Sequence, residues 1–438
     1  MKVVFIGAGS GFGQRLCNDI LAHEELQDCH ISLVDTNERH LETVHECVQE
    51  MITKNGLPAT VEATQDRRAV LGGADYVVIS VAIGGPAYDG VPYYHEMTIP
   101  AKYGVFQEVG DTLNPGGIFR TLRSAPEMIR MAQDIEELCP NAWVLNYTNP
   151  MAMLTWLMHK AANLNLVGLC HSVQGTAAQL AGYIDVPFEE VKYWCAGINH
   201  MSWYLEFQRG SEDLYPRLRE AMDNPEIWKK DTVRFEIMRH FDYFVTESTR
   251  HMSEYVPYFR KSKELMDRYG ISLREPNEVA EDRRWGWLQE IKQQLKDADP
   301  AQGLKSSGEY ASFIIRALET NVPYRFNGNV MNGGRTRSGG IITNLPPQCC
   351  VEVPCLTDAT GVRPCYVGEL PAHLAALNMS NVAVQQLTVE AAVEKNRRKA
   401  YHALVLDPLT AAQCTLDQTR EMFDELWAAD APWLTEYN

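Results

Sequence analysis

The sequence predicts a doubly wound parallel α/β sheet followed by an α+β lobe. Three observations carry this reading. Apolar, strand-like runs alternate with helix-periodic segments through the first half; the chain opens on a strand, a glycine turn and a helix in KVVFIGAGSGFGQRL; and from about Lys192 the alternation gives way to two adjacent strand patterns in WCAGINHMSWYLEF. At 438 residues the chain exceeds one ordinary core, so two domains are expected, over 1–190 and 191–438.

The expected strands of the first half are residues 3–7, 31–35, 75–82, 143–146 and 167–170, each a short apolar run bounded by turn residues. Helices are expected between them, at about 12–27, 36–51 and 120–138, the last ending before Cys139-Pro140. Beyond the paired strands, residues 214–296 read as long polar helices. The stretch 327–345, NGNVMNGGRTRSGGIITNL, is rich in Gly and Asn and reads as a mobile loop carrying Arg335 and Arg337.

Composition narrows the function. A formal net charge of −17 argues against a nucleic-acid or anionic-membrane partner, whose surfaces require clustered Lys and Arg. Apolar runs reach only about ten residues and the first strand starts at once, so no membrane span or leader is expected and the reading is a cytoplasmic protein. Eleven cysteines without a regular framework fit a reducing compartment, in which most are buried apolar residues. The group Cys349, Cys350, Cys355 and Cys365 has no zinc-finger spacing and lies in a Val-rich strand pattern.

The opening turn, Gly7, Ala8, Gly9, Ser10, Gly11 and Phe12, reads as a Rossmann-type dinucleotide site. Gly7 allows the bend and Gly9 the close approach of backbone to pyrophosphate, but Phe12 stands where the third glycine of G-x-G-x-x-G belongs, between Gly11 and Gly13. Asp35 ends the second strand, where an acid binds ribose hydroxyls and repels a 2′-phosphate, which favours NAD over NADP. Asn149-Pro150 follows the strand WVLNY; in nicotinamide dehydrogenases of the lactate and malate type an Asn-Pro in this place lies between cofactor and substrate, so Asn149 serves both.

Cys170 closes the apolar run LVGLCHSV and His200 closes VKYWCAGINHM. A thiolate and an imidazole at two strand ends can share one soft or borderline metal ion. Taken singly, a buried thiol and a hydrogen-bonded core histidine are the commoner readings of such residues.

The ordered set GAGS, DTLNPGG at 111–117, NYTNPMAM at 146–153, GLCHSVQGT at 168–176, CAGINHM at 195–201, YFVTES at 243–248 and NLP followed by CCVEV resembles glycoside hydrolase family 4 over nearly the whole chain, and most closely its bacterial α-galactosidases of the melibiose-hydrolysing type. The resemblance implies a lactate/malate-dehydrogenase-like fold, an assembly of two or four identical subunits, NAD and Mn²⁺, and the exception to two-carboxylate glycosidase chemistry that NAD-dependent members represent. In that scheme NAD⁺ oxidises the sugar C3 hydroxyl, a base removes the acidified C2 proton, the aglycone is eliminated, water adds and the ketone is reduced again.

The resemblance assigns Cys170 and His200 to the metal, Tyr255 to the C2 base with Tyr258 as fallback, and Asp111 first and His171 second to the leaving-group acid. His171 stands where some members carry Asp. The run Cys170-His171-Ser172-Val173 is similar to the branch acting on unphosphorylated α-galactosides and α-glucosides, and GGPAYDGVPYYHEMTIP, 84–100, holds no Lys or Arg to clamp a 6-phosphate. Uronic acid substrates, paired with Arg335 or Arg337, remain an alternative. So do a 2-hydroxy-acid dehydrogenase using His200 as proton relay and a non-catalytic NAD-binding protein.

Overall fold

The computed structural model describes residues 1–10, 12–85, 88–280, 282–297, 303–333 and 339–437. Among the described residues twelve strands form one sheet: β1 (Lys2–Ile6), β2 (His30–Val34), β3 (Thr60–Thr64), β4 (Tyr76–Ile79), β5 (Trp143–Asn146), β6 (Asn165–Leu169), β7 (Val191–Ile198), β8 (Met201–Arg209), β9 (Glu212–Asp213), β10 (Tyr324–Met331), β11 (Cys350–Asp358) and β12 (Gly361–Pro364). Their order is β3-β2-β1-β4-β5-β6-β10-β11-β7-β8-β9, with β12 paired to β11.

The first six strands are parallel, in the order of dinucleotide-binding sheets, and the buried apolar runs of all but the edge strand β3 reflect helices on both faces. At β6 the sheet turns antiparallel: Gly328 of β10 pairs with Leu169 and Asn329 with Gly168. Gly328 and Gly168 are required there, because a Cβ on the first would meet Val167 at 2.8 Å and on the second Met151 Sδ at 2.5 Å. The sheet is therefore continuous across the boundary expected near residue 190.

Expected strands match to within a few residues, with β3 unforeseen. Its sequence TVEAT has an exposed or half-buried pattern throughout, so it shows little apolar signal. The expected long polar helices at 214–296 are instead a series of short ones, Tyr215–Met222, Pro225–Trp228, Thr232–Phe241, Thr249–Met252 and Lys263–Arg268, before a longer Arg283–Asp297. Pro216 and Pro225, with Asp242 at φ 66°, punctuate them. The supposed loop 327–345 is also corrected: 327–331 belong to β10, and Asn332 bonds to the backbone of Ile341, Ile342 and Leu345. Arg335 and Arg337 lie outside the described residues. Among the described residues no helix is long and apolar enough to cross a membrane.

The topology gathers the marked residues at one edge of the sheet. Gly7 follows β1, Asp35 follows β2, Asn149 and Cys170 follow β5 and β6, and His200 lies in the two-residue turn between β7 and β8. Ligands of open α/β sheets bind at these carboxyl ends.

Candidate active site

The glycine turn is built for close approach. Gly7 has φ 87°, and a Cβ there would lie 2.0 Å from Ser80 O; at Gly9 it would meet His40 Cβ at 2.7 Å and Asp35 Oδ2 at 2.9 Å. Gly7 and Ala8 donate to Val34 O, Ser10 donates to Gly7 O, and Gly9 N–H donates to Asp35 Oδ2 at 2.7 Å. Turn and ribose-type acid are thus one unit. Gly11 lies outside the described residues. The apparent loss of the third glycine is corrected by Gly13: a Cβ there would sit 1.9 Å from Ala8 O, so Gly13 provides the tight helix–strand packing while Phe12 stacks on Tyr147 at 5.2 Å. These cradles suit a dinucleotide.

On the other side, ligand atoms of Cys170, His200 and Glu247 all lie within 4.8 Å of one another, with His200 Nε2 3.3 Å from Glu247 Oε2. A sulfur, an imidazole and a carboxylate make a donor set that fits a divalent transition metal. Two of the three sit on left-handed backbone, His200 at φ 64° and Glu247 at φ 74°. That conformation costs about 1–2 kcal/mol for a residue with a Cβ, and strain of this kind clusters at functional sites. Burial, with the charges of Glu352 and Glu247, pushes the Cys170 thiol up, so a cation is what would draw off its proton. Burial opposes ionisation of Glu247 as well, but His200 and His251 outweigh it and lower its carboxyl.

Next to this cluster runs a hydrogen-bonded chain. Tyr255 OH lies 3.1 Å from His200 Nδ1 and in closer contact with His251 Nδ1; His251 Nε2 is 3.3 Å from Asp111 Oδ1; and Asp111 Oδ2 accepts from Tyr88 OH at 2.8 Å and Asn149 Nδ2 at 2.9 Å. Thr112 Oγ1 donates to Asp111 Oδ1 at 2.8 Å and is 3.0 Å from His200 Nδ1. The loop bearing Asp111 is held by buried Glu254, which accepts the Glu108 N–H at 2.6 Å and, more loosely, those of Val109 and Gly110. Asp111 caps no helix: the helix Asn114–Leu138 has Leu113 at its N-cap, without a side-chain cap.

Electrostatics divide the chain. Burial would raise the Asp111 carboxyl, but the His251 hydrogen bond and the charges of His251, Arg120 and His200 hold it well below the usual range. Burial would lower His251, and Asp111 and Glu247 raise it instead. Burial, then the carboxylates Glu254, Asp111 and Glu247, push the Tyr255 phenol up. A cation in the neighbouring cluster would act in the opposite direction.

The structure brings together Cys170, His200, Tyr255, Asp111 and Asn149. It sets His171 apart: 62% exposed, with Nδ1 3.9 Å from Glu309 Oε1. Tyr258 is also exposed, its ring tilted against Phe241. Sequence reasoning missed Glu247 and His251. Their signal was the spacing Glu247, His251, Tyr255, three residues four apart in a chain that makes the short helix Thr249–Met252.

Residues 2–186 match the profile of the family 4 glycosyl hydrolases and residues 195–410 that of the family 4 glycosyl hydrolase C-terminal domain. The chain belongs to glycosyl hydrolase family 4. It is 39% identical to an α-galactosidase of Bacillus subtilis (strain 168), covering 100% of this chain and 99% of that one, and 36% identical to an α-galactosidase of Rhizobium meliloti (strain 1021), covering 100% and 89%. Its fold is similar to that of the Thermotoga maritima 6-phospho-β-glucosidase solved with manganese, NAD⁺ and glucose-6-phosphate (TM-score 0.78, 20% identity, 99% of each chain). Malate dehydrogenase from Plasmodium falciparum shares the broader architecture (TM-score 0.51, 14% identity, 90% of this chain and 99% of that one). The chain is a glycoside hydrolase, and the dehydrogenase-like fold expected from sequence is borne out.

Proposed function

We propose that this family 4 enzyme hydrolyses unphosphorylated α-galactosides, using NAD and a divalent metal, Mn²⁺ by resemblance. The observation that carries the reading is the convergence of Cys170, His200 and Glu247 with Tyr255, His251, Asp111 and Asn149 at the carboxyl ends of a sheet whose first turn suits a dinucleotide. The α-galactosidases at 39% and 36% identity support the choice of sugar. Residues 1–190 serve as the NAD domain and 191–438 as the substrate, metal and oligomerisation domain of a cytoplasmic homodimer or homotetramer.

Gly7 to Phe12 and Asp35 would hold the dinucleotide, and Cys170, His200 and Glu247 would hold the cation. When bound, NAD supplies a hydride acceptor and donor for sugar C3, and the cation supplies electrophilic polarisation of the C2 and C3 oxygens. Tyr255 takes the C2 proton, and His251 fixes the phenol oxygen in place. Because Asp111 is held ionised and His251 is raised, the Asp111–His251 pair, rather than Asp111 alone, is the unit that holds a proton beside Tyr255 for the leaving oxygen. Asn149 orients Asp111 from the cofactor side. His171 remains the second candidate for the acid.

A second reading, an α-galacturonidase of the same family, has one observation in its favour. Although 84–100 contains no Lys or Arg, the fold brings Arg120 and Arg274 to its Tyr88 ring, at 5.1 and 5.4 Å, next to Asp111. Guanidinium groups there suit a sugar carboxylate. Nitrophenyl α-galactoside, α-glucoside and α-galacturonide, assayed with NAD⁺, Mn²⁺ and a thiol reductant, separate the readings. Preferred cleavage of the galactoside is expected, with deuterium at C2 of the product when the reaction runs in D₂O; turnover without C2 deuterium excludes the elimination route.

A further inference from the structure

The helix Arg283–Asp297 has no role in the site described so far. It lies along the helix Glu38–Lys54, which follows the ribose-type acid Asp35. Leu288 is fully buried there, Lys54 Nζ donates to Leu295 O at 2.8 Å, Gln289 Nε2 donates to Thr43 Oγ1 at 3.4 Å, and Lys292 pairs with Glu46. At its start the contacts become aromatic and charged. The Arg39 guanidinium sits 3.5 Å over the Trp285 ring, His40 stacks parallel to that ring at 6.3 Å, and Asp282 Oδ1 is 3.1 Å from His40 Nε2.

This stack adjoins the cofactor turn. His40 Cβ is the atom that a Cβ on Gly9 would meet at 2.7 Å, and Gly9 is bonded to Asp35. An acid in the position of Asp35 marks the adenosine ribose, so Trp285 and Arg39 stand beyond that ribose, where a planar base would lie. The preceding stretch reaches the opposite end of the site: Asn277 O accepts from Gly90 N at 2.9 Å, Asn277 N donates to Asp89 at 2.8 Å, and Arg274 faces Tyr88. One excursion of the chain therefore touches both the sugar side and the nucleotide side.

We propose that Trp285, with Arg39 and His40, forms an aromatic and cationic wall for the adenine of the cofactor, and that this wall slows release of the dinucleotide. The inference rests on the NAD-dependent reading above. Its chemical logic is that a hydrolysis with no net redox change returns the cofactor to its starting state, so release between turnovers is unnecessary.

The test measures release rather than activity. Full-length protein is loaded with ethenoadenine-NAD⁺ and chased with excess NAD⁺, in wild type, Trp285→Ala and Trp285→Phe. Base–aromatic stacking lost on alanine substitution predicts release about tenfold or more faster in Trp285→Ala, with most of the slow release restored in Trp285→Phe. Nicotinamide mononucleotide, which lacks the adenosine, should bind wild type and Trp285→Ala alike. Unchanged release in Trp285→Ala overturns the wall, as does an equal loss of mononucleotide and dinucleotide affinity, which would mark Trp285 as a packing residue only. Failure of wild type to bind any of these nucleotides would instead remove the NAD-dependent reading itself.

Discussion

The two halves of the sheet make their sites by opposite means. In the parallel half the working feature is missing side chains: at Gly7, Gly9 and Gly13 a Cβ would strike Ser80 O, Asp35 Oδ2 or Ala8 O at less than 3 Å. In the antiparallel half the working features are side chains set on costly backbone, His200 and Glu247 at positive φ, beside a Tyr255 whose phenol is pushed up by burial and carboxylates. The first kind of site binds through main chain and tolerates little added volume. The second is an electrostatic balance that a cation completes, and its failure should appear in chemistry before it appears in folding.

The largest effects are expected at the metal cluster. Cys170→Ser and His200→Ala should each abolish hydrolysis while leaving NAD affinity near wild type, because the cofactor contacts belong to the glycine turn and Asp35 and not to the metal cluster. Glu247→Gln should weaken Mn²⁺ binding, followed by electron paramagnetic resonance, by about 10- to 100-fold, the range seen when residues shaping a metal site are changed. Full activity in Cys170→Ser would remove the metal assignment, and equal loss of NAD affinity would erase the distinction between the halves.

Tyr255→Phe comes next. It keeps the packing of a ring that is 1% exposed and deletes the oxygen shared with His200 and His251. Turnover should fall about 10²- to 10⁴-fold, the usual span of a general base, with Mn²⁺ and NAD affinities retained. A near-wild-type rate, with normal C2 deuterium in the product, would move the base to another group.

These contrasts explain what could be read from sequence. Alternation of apolar runs exposed the parallel sheet because its strands are buried on both faces; β3, at the sheet edge, lacks that signal. Cys170 and His200 were recognisable through the strings that surround them, but Glu247 reaches the cluster through a left-handed backbone, and its spacing of four from His251 and eight from Tyr255 does not by itself show that turn. Gly13 was visible as a residue and not as a function, since only the path of the turn shows that it, and not position 12, meets Ala8 O. The role of Asp111 depended on His251, a partner 140 residues distant that the sheet topology brings to 3.3 Å.

Gly13→Ala sharpens the comparison from the cofactor side. Its added methyl must displace a backbone oxygen 1.9 Å away, so a destabilisation of about 3 kcal/mol is expected, at the upper end of overpacking costs. Gly175→Ala, where nothing lies within 4 Å in the helix Ser172–Tyr183, should instead be neutral or stabilising by about 0.5–1 kcal/mol. Urea unfolding of the two variants measures both. Similar stabilities would mean that the turn relaxes and that absent side chains are not what defines this half.

An effect smaller than that of Gly13→Ala, and dependent on pH, is expected behind the metal cluster, at Glu352. It is fully buried on β11, accepts from Ser202 Oγ at 2.8 Å and from Asn329 Nδ2 at 3.3 Å, and its carboxyl is pushed up by burial to about 7 from an ordinary 4.5. Between those two values the folded chain keeps a proton that the unfolded chain has released, so stability falls as pH rises through the window. Glu352→Gln keeps the shape, removes the titration, and offers an N–H near Asn329 Oδ1, which has no partner among the described residues. In metal-free buffer the variant should therefore gain on wild type as pH rises from 5 to 8 (assay values, about three pH units), by roughly 2 kcal/mol. A difference independent of pH would show that Glu352 is not protonated in the folded chain at low pH, and that the antiparallel half balances its charges without it.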